Sequence, residues 1–355
     1  MSHLFKYSNM KQAEFLLIND IHVSRDSLQD FQKNWDEALD ICKKRGIVDI
    51  IIGGDLWQSR SSQTLDVLLA VRDAIIKAGN ADITLTIAEG NHDLIDQESL
   101  YGYSHIFSEY KNVFVVDDYM PIDFGDNGTL YVMSYFPEDG SFTERLEDMV
   151  QNDFDPSNNN ILYIHEGING ALATPSKKEL PTKIFKDFDK VLVGHYHNRA
   201  KIKNTNIEYI GSSRQANFGE DEMKGYTILF DDGTTEFIQN QVNTRYKVID
   251  VPANGIDDDL LAELNQIKEE GKYKVKLRVS CDSTVKSTID KKKLIAAGAT
   301  KVEIDTIETD TQKVSSHALD KKYDKHEIVN EWKEFCISKG NTNVELGLKY
   351  LEKIS

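Results

Sequence analysis

Histidine, aspartate and asparagine recur at the ends of five short apolar runs in this sequence. They offer imidazole nitrogens and carboxylate or amide oxygens, which suit a divalent metal such as manganese, iron or zinc. The lack of nearby thiolates argues against a structural zinc site. The seven candidate ligands are Asp20, His22, Asp55, Asn91, His165, His195 and His197.

Seven ligands are about enough for two metal ions that share one bridging carboxylate. Paired metals about 3.5 to 4 Å apart activate water and stabilise an in-line displacement at phosphorus. Each segment alone also has an ordinary explanation as a turn or a helix cap. Their joint occurrence favours the metal site, because five of the nine histidines lie at or just beyond the ends of these runs.

The segments that carry these residues are predicted to be strands of an α/β fold. Continuous apolar runs of this length are typical of strands that helices bury on both faces. Since ligands bind beyond the carboxyl ends of such strands, the five ends are expected to meet at one edge of the sheet. The runs are FLLIND (15–20), VDIIIGGD (48–55), ITLTIAEGNHD (83–93), NILYIHEG (160–167) and KVLVGHYH (190–197).

Residues 28–46 predict an amphipathic helix between the first two runs. Apolar residues recur there at i, i+4, i+8 and i+11, and Gly46 supplies a stop. Cys42 is one of three widely spaced cysteines, with Cys281 and Cys336. Such spacing and an odd number argue against a disulfide framework, so we expect buried small side chains.

Length and composition indicate an ordinary globular protein of more than one domain. The chain has 355 residues, of which 40% are hydrophobic and 28% are charged. No apolar run approaches the roughly 18 residues of a membrane helix, and the start lacks the order of a signal peptide, so we expect a cytoplasmic protein. The net charge of −17 is unusual for a stand-alone nucleic-acid binder.

The blocks NDIH, GGDLW, GNHD, HEG and GHYH together resemble the signature of the calcineurin-like metallophosphoesterases, over about residues 14 to 200. GDLWQSR and YIGSSRQANFGE are similar to the nuclease subunits of the SbcCD type. The resemblance implies a β-sandwich flanked by helices, followed by a small α/β capping domain. It also implies two divalent metal ions, with Mn(II) expected and Mg(II) or Fe(II) as alternatives.

Residue roles follow from the same resemblance. Asp20, His22 and His197 would hold one metal, while Asn91, His165 and His195 would hold the other. Asp55 would bridge them.

Two further residues of the GNHD block are expected to act in catalysis. His92 would stabilise charge on the reacting phosphate or protonate the leaving oxygen, since imidazole titrates near neutral pH. Asp93 would orient His92. Gln58 stands where relatives have a second histidine or an acid, and this puts the rate and direction of exonuclease action in doubt.

The chain after Pro252 predicts a second small unit. IDDDLLAELNQIKEEG (256–271) and KKKLIAAG (291–298) are typical of helices, and KYKVKLRVS (272–280) and ATKVEIDTIE (299–308) of strands. We therefore expect a nuclease domain at 1–252, a capping domain at 253–310, and a linker with C-terminal helices at 311–355.

Basic residues in two places are candidates for contact with DNA. One face of the strand 272–280 carries Lys272, Lys274, Lys276 and Arg278, which would neutralise phosphates. The alternative is a solvated face or a protected edge strand. Arg214 would contact a phosphate or, alternatively, fix its own loop.

The last forty residues predict two helices, within 326–340 and 343–354. Their apolar faces either pack on the capping domain or dock on an SMC-like ATPase, as the resemblance implies. Apart from these helices, a second copy of the chain is a further candidate partner, as a homodimer.

The sequence thus predicts a binuclear metal-dependent DNA nuclease that acts with an ATPase partner in recombination or break repair. Two alternatives remain open. A phosphatase or phosphodiesterase for a small molecule is disfavoured by the extra hundred residues after Pro252. A scaffold without activity is disfavoured because all seven ligand types are present.

Overall fold

The computed structural model describes residues 11–96, 101–137, 140–172 and 179–306, together with Trp332, Cys336 and Val344. Between residues 11 and 306, the described chain forms fifteen strands and five α-helices. The helices are α1 (Leu28–Arg45), α2 (Leu65–Gly79), α3 (Ser141–Asn152), α4 (Asp258–Glu270) and α5 (Lys291–Ala297). The strands are β1 (Ala13–Ile18), β2 (Asp49–Gly53), β3 (Thr84–Ala88), β4 (Val113–Val116), β5 (Tyr119–Phe124), β6 (Gly128–Met133), β7 (Asn159–Ile164), β8 (Lys190–Val193), β9 (Ala200–Lys201), β10 (Ile207–Tyr209), β11 (Gly225–Phe230), β12 (Thr235–Gln239), β13 (Arg245–Pro252), β14 (Tyr273–Cys281) and β15 (Ala299–Thr306).

Two six-stranded sheets make up the larger part of the fold. The first has the order β12-β11-β1-β2-β3-β4, and β1 to β4 run parallel. The second has the order β5-β6-β7-β8-β10-β9, and β6, β7, β8 and β10 run parallel. An antiparallel strand, β12, lies at one edge of the first sheet, and antiparallel strands β5 and β9 lie at the two edges of the second.

The two sheets pack face to face, and helices cover their outer faces. Between the sheets, Leu17 and Ile51 of the first meet Leu130 and Leu192 of the second in one apolar cluster. Alternate residues of β1 and β2 point the other way, where they pack with α1 and α2. The helix α3 packs in the same manner on the outer face of the second sheet. This is the α/β sandwich with flanking helices that the resemblance implied.

The five predicted strands are confirmed, but they do not share one sheet edge as expected. β1, β2 and β3 belong to the first sheet, whereas β7 and β8 belong to the second. Their polar ends still meet, because both sheets place these carboxyl ends on the same side of the sandwich. Sequence periodicity shows that a strand is buried on both faces, but it does not show which sheet the strand joins.

The predicted helix 28–46 is confirmed in detail as α1. Phe31, Trp35, Leu39 and Cys42 are all buried in the core against the first sheet. Gly46 ends the helix in the left-handed region at φ +73°, where glycine has no steric penalty. Cys42, Cys281 and Cys336 are free and buried.

The predicted helices and strands after Pro252 also form. β13, β14 and β15 make a three-stranded sheet. In β14, Val275, Leu277 and Val279 are buried, as the alternating pattern predicted. By its internal contacts the chain divides into two units, Met1–Arg278 with Asp290–Glu303 and Val279–Ile289 with Ile304–Ser355. The boundaries at 252 and 310 stay predictions.

The two predicted C-terminal helices lie outside the described residues, apart from three positions. Trp332, Cys336 and Val344 are helical, and the indole Nε1 of Trp332 donates to the carbonyl of Val344 at 3.2 Å. Among the described helices, none combines the length and the apolar character that crossing a membrane requires.

Candidate metal centre

The loops that follow β1 and β2 are tied together by backbone hydrogen bonds. The amide of Asp20 donates to the carbonyl of Gly54 at 3.1 Å, and the amide of His22 donates to that of Asp55 at 3.0 Å. Three predicted ligands therefore have fixed main-chain positions relative to one another before any metal binds.

Four predicted ligands have a backbone conformation that side chains other than glycine seldom adopt. Asp20 (φ +50°), His22 (φ +49°), Asp55 (φ +53°) and His195 (φ +86°) all lie at positive φ. Such backbone strain costs about 1 to 3 kcal/mol per residue and clusters at functional sites. The tertiary structure therefore holds these side chains in an unfavourable local geometry that directs them into one place.

One set of ligand atoms gathers around Asp20. The Nε2 atoms of His22 and His197 are 3.1 Å apart, and they lie 4.0 and 3.7 Å from Asp20 Oδ1. This is the first predicted metal position, and one oxygen and two nitrogens there lie close enough to share an ion.

The second set gathers on the other side of Asp55. Its Oδ2 lies 3.4 Å from His165 Nε2 and 3.5 Å from His22 Nε2, so Asp55 faces both sets. Asn91 Oδ1 and His195 Nδ1 are 3.0 Å apart. The structure thus brings all seven predicted ligands together around Asp20 and Asp55, with the rings of His165 and His195 5.5 Å apart. The division of these ligands between two ions stays a prediction.

Two buried atoms at the centre of this cluster make no hydrogen bond to any described residue. They are Asp20 Oδ1 and His165 Nε2, which lie 3.9 Å apart. Buried polar atoms are almost always satisfied, and leaving one unpaired costs about 1 to 3 kcal/mol. A buried nitrogen and a buried oxygen that converge without a hydrogen-bond partner fit a site for divalent cations.

The electrostatics of the cluster also favour positive charge at its centre. Burial lowers the pKa of His165, but the carboxylates of Asp55 and Asp20 outweigh it and raise that pKa to about 10. Burial also lowers the pKa of His22 and of His195, each to about 4, so these imidazoles are neutral at pH 7. Neutral imidazole is the form that binds a metal.

His92 stands beside the two groups at the mouth of the cluster. Its amide donates to Asp55 Oδ1 at 2.8 Å, and its ring Nδ1 lies 3.0 Å from the carbonyl oxygen of Gln58. Its ring also lies near enough to His22 and Asp55 to complete a third set of candidate ligands. The side chain of Gln58 itself is exposed.

Asp93 does not orient the ring of His92, which corrects the expectation from the sequence. Its carboxylate is fully buried and accepts from the backbone amides of Trp57 (2.9 Å) and Gly90 (2.7 Å). The orienting contact comes instead from a backbone carbonyl, which no sequence motif could reveal. Asp93 therefore joins the loop after β2 to the loop after β3.

An open cleft of about 350 Å³ gives access to the cluster. Its walls include His22, Asp55, Asn91, His92 and His195. Gln58, His197, Ala216 and Asn217 complete the walls.

The predicted DNA contacts lie outside this cleft. Lys276 pairs with Glu303 at 2.7 Å and Arg278 with Asp250 at 2.7 Å, while Lys274 Nζ lies 3.3 Å from the hydroxyl of Tyr246. Lys272 lies over the ring of Tyr273.

Arg214 is buried, and its guanidinium donates to the carbonyls of Ile21 and His22 at 3.2 and 3.0 Å. For Arg214 the structure favours the alternative in which it fixes a loop.

Sequence reasoning missed Glu220 and Lys224. Glu220 Oε1 lies 2.8 Å from His197 Nδ1, and the buried amine of Lys224 donates to the carbonyl of His197 at 2.5 Å. Glu220 ends the segment YIGSSRQANFGE, which the sequence had singled out without assigning it a contact.

The sequence is similar to those of known phosphoesterases and nucleases. The family model for calcineurin-like phosphoesterase matches residues 13–199. The chain is 27% identical over 228 residues to exonuclease subunit 1 of Enterobacteria phage T4, a match that covers 62% of this chain and 63% of that protein. It is 24% identical over 253 residues to a subunit of the SbcCD nuclease of Staphylococcus saprophyticus, over 63% and 65% of the two chains.

The chain thus spans less than two thirds of the length of either relative. A solved structure of a dimetal phosphatase from Danio rerio is 11% identical, with a TM-score of 0.34, and the match covers 55% of this chain and 85% of that one.

Proposed function

The chain belongs to the calcineurin-like phosphoesterase family, and we propose that it is a nuclease that cleaves phosphodiester bonds of DNA with two divalent metal ions. The observation that carries the proposal is the convergence of the seven predicted ligand side chains, two of whose buried atoms, Asp20 Oδ1 and His165 Nε2, make no hydrogen bond to any described residue. Bound there, two such ions would supply a water activated near neutral pH and would neutralise a phosphate.

The protein's own residues would position and protonate the substrate. His92 lies at the mouth of the cleft, with Nδ1 turned to the carbonyl of Gln58 and Nε2 left to face a phosphate or the leaving oxygen. General acid catalysis of this kind contributes typically 10² to 10⁴-fold. We propose manganese as the native metal, with Mg(II) or Fe(II) as alternatives.

DNA as the substrate is supported by the names of the two curated relatives, which are both nuclease subunits. The cations Lys272 and Lys274 pair with no carboxylate among the residues that the structure describes, so they are available for phosphates. Replacing both with alanine should weaken DNA binding and flatten its salt dependence, whereas replacing the paired Lys276 should have a smaller effect.

We further propose an SMC-like ATPase as the partner, a cytoplasmic location, and a role in recombination or break repair. The segment expected to dock the ATPase, within 311–355, lies outside the described residues apart from three positions. Removing residues from about 318 onward should end ATPase association and spare hydrolysis of a small diester. If the truncated chain unfolds, the predicted C-terminal helices belong to the folded core and are not a separate docking segment.

The experiment that tests the proposed function compares manganese with chelator on three substrates. They are linear duplex DNA, single-stranded DNA and a chromogenic phosphate monoester, with His92→Ala as the blank. Manganese-dependent cleavage of DNA that is lost in the blank would support the proposal. Hydrolysis of the monoester with DNA left intact would overturn it in favour of a small-molecule phosphatase.

A further inference from the structure

The ring of His197, one of the predicted ligands, contacts a carboxylate on the side that faces away from the cluster. Its Nε2 faces the cluster, 3.7 Å from Asp20 Oδ1, while its Nδ1 lies 2.8 Å from Glu220 Oε1. His197 follows β8 and Glu220 lies between β10 and β11, so the contact joins two separate segments of the chain.

Every group around the carboxylate of Glu220 is a hydrogen-bond donor. Oε1 accepts from Asn217 Nδ2 at 2.6 Å, and Oε2 accepts from the amide of Ala216 at 3.0 Å. The ammonium of Lys224 lies 3.7 Å from Oε2. Since a carboxylate only accepts, the proton at the fourth contact belongs to Nδ1 of His197.

A proton on Nδ1 leaves the lone pair of Nε2 free to bind a cation. A carboxylate behind a metal-binding imidazole fixes its tautomer and its orientation and makes it more basic. Among the described residues, two other imidazoles of the cluster, those of His165 and His22, have no carboxylate at Nδ1. Nδ1 of His165 faces the carbonyl of Gly53 at 2.9 Å, and Nδ1 of His22 makes no hydrogen bond within the described part of the chain.

Lys224 fixes the backbone of the same histidine. Its side chain is 3% exposed, and its amine donates to the carbonyl of His197 at 2.5 Å and to Asn198 Oδ1 at 2.7 Å. The segment from Ala216 to Lys224 therefore holds both the ring and the main chain of His197. Burying an ion pair is costly, because two charges lose their hydration. The buried pair of Glu220 and Lys224 therefore indicates that this segment does more than fill space.

We propose that Glu220 is a positioning residue that fixes the Nδ1–H tautomer of His197 and so strengthens divalent cation binding at the position formed by Asp20, His22 and His197. The inference rests on the proposed function, since it assumes that the cluster holds cations. It makes the two metal positions unequal, because Glu220 supports the ligand of only one.

Titration calorimetry with Mn²⁺ tests the inference on the full-length chain. Glu220→Gln keeps the shape but places an NH₂ group against donors whichever way the amide turns. This variant should bind one ion as the wild type does and the other about 10 to 100-fold more weakly. Glu236→Gln is the matched control, because Glu236 pairs with Arg45 at the surface. It should bind both ions normally.

Wild-type affinity for both ions in Glu220→Gln would overturn the inference and leave the proposed function intact. Absence of Mn²⁺ binding to the wild type would overturn both. Thermal unfolding in chelator shows whether the variant folds.

A second measurement needs no variant of Glu220. In metal-free wild-type protein labelled with ¹⁵N-histidine, at an alkaline pH where the imidazole is neutral and holds one proton, the ring nitrogens of His197 are assigned by comparison with His197→Asn. The inference expects a protonated Nδ1, and an unprotonated Nδ1 would refute it.

Discussion

The ring Nδ1 of His92 lies 3.0 Å from the backbone carbonyl oxygen of Gln58. A carbonyl oxygen only accepts, so Nδ1 carries a proton and Nε2 is the atom presented to the cleft. The contact uses the main chain of Gln58 and not its side chain. The orientation of His92 therefore does not depend on which side chain occupies position 58.

His92→Ala should abolish most of the turnover and leave the metal content unchanged. We expect the rate on a diester to fall by about 10² to 10⁴-fold, because a general acid is removed while the seven ligands remain. Rates with Mn²⁺ and the bound metal per chain are the measurements. His105→Ala, a change at a histidine 41% exposed beside Asp117, is the control. Loss of one metal ion would instead make His92 a ligand.

Asp93→Asn should destabilise the protein by about 1 to 3 kcal/mol. Both carboxylate oxygens of Asp93 accept from backbone amides, so an asparagine NH₂ would face a donor in either orientation. Urea unfolding in chelator measures the free energy of unfolding. Asp73→Asn should change it by less than about 0.5 kcal/mol, since Asp73 is an exposed residue paired with Arg72. Wild-type stability in Asp93→Asn would contradict this account of the loops.

Glu89 should make the metal-free protein less stable as the pH rises. Burial and the charge of Asp93 raise the pKa of Glu89 from 4.5 to about 8 in the folded state. Between these values the folded state binds more protons than the unfolded state, so the free energy of unfolding falls with pH by up to about 1.4 kcal/mol per unit.

Glu89→Gln removes this titration, whatever its effect on the absolute stability. Denaturant unfolding in chelator, repeated from about pH 5 to about pH 9, should therefore give a flatter profile for the variant than for the wild type. Parallel profiles would show that Glu89 does not titrate in this range.

Gly90→Ala should weaken metal binding and lower stability by about 1 to 3 kcal/mol. A Cβ at this position would lie 2.3 Å from Asp55 Oδ1 and 2.4 Å from the amide nitrogen of Asp55. The loop after β2 would have to move, and with it the predicted bridging carboxylate. Calorimetry with Mn²⁺ and urea unfolding measure the two effects. Unchanged affinity would mean that Asp55 tolerates the shift.

Local patterns in the sequence were enough to predict most of the elements and the candidate ligands. The apolar runs before Asp20, Asp55 and His165 predicted strands buried on both faces, because burial on both faces selects apolar residues at every position. The spacing of Phe31 and Trp35 predicted α1 in the same way. These patterns are local, because a segment that is buried has apolar residues at its own buried positions.

Other features depended on contacts between segments distant in the chain. The division of the five strands between two sheets is decided by packing, since Leu17 and Leu192 meet only when the sheets stack. Likewise, the ring nitrogen of His197 that contacts Glu220 lies on a different loop from Glu220. The carbonyl of Gln58 that orients His92 also lies on a different loop from His92. The sequence by itself determined which groups could bind a metal. Only the tertiary structure decided which atoms converge and what holds them, because main-chain groups and distant partners leave no local pattern.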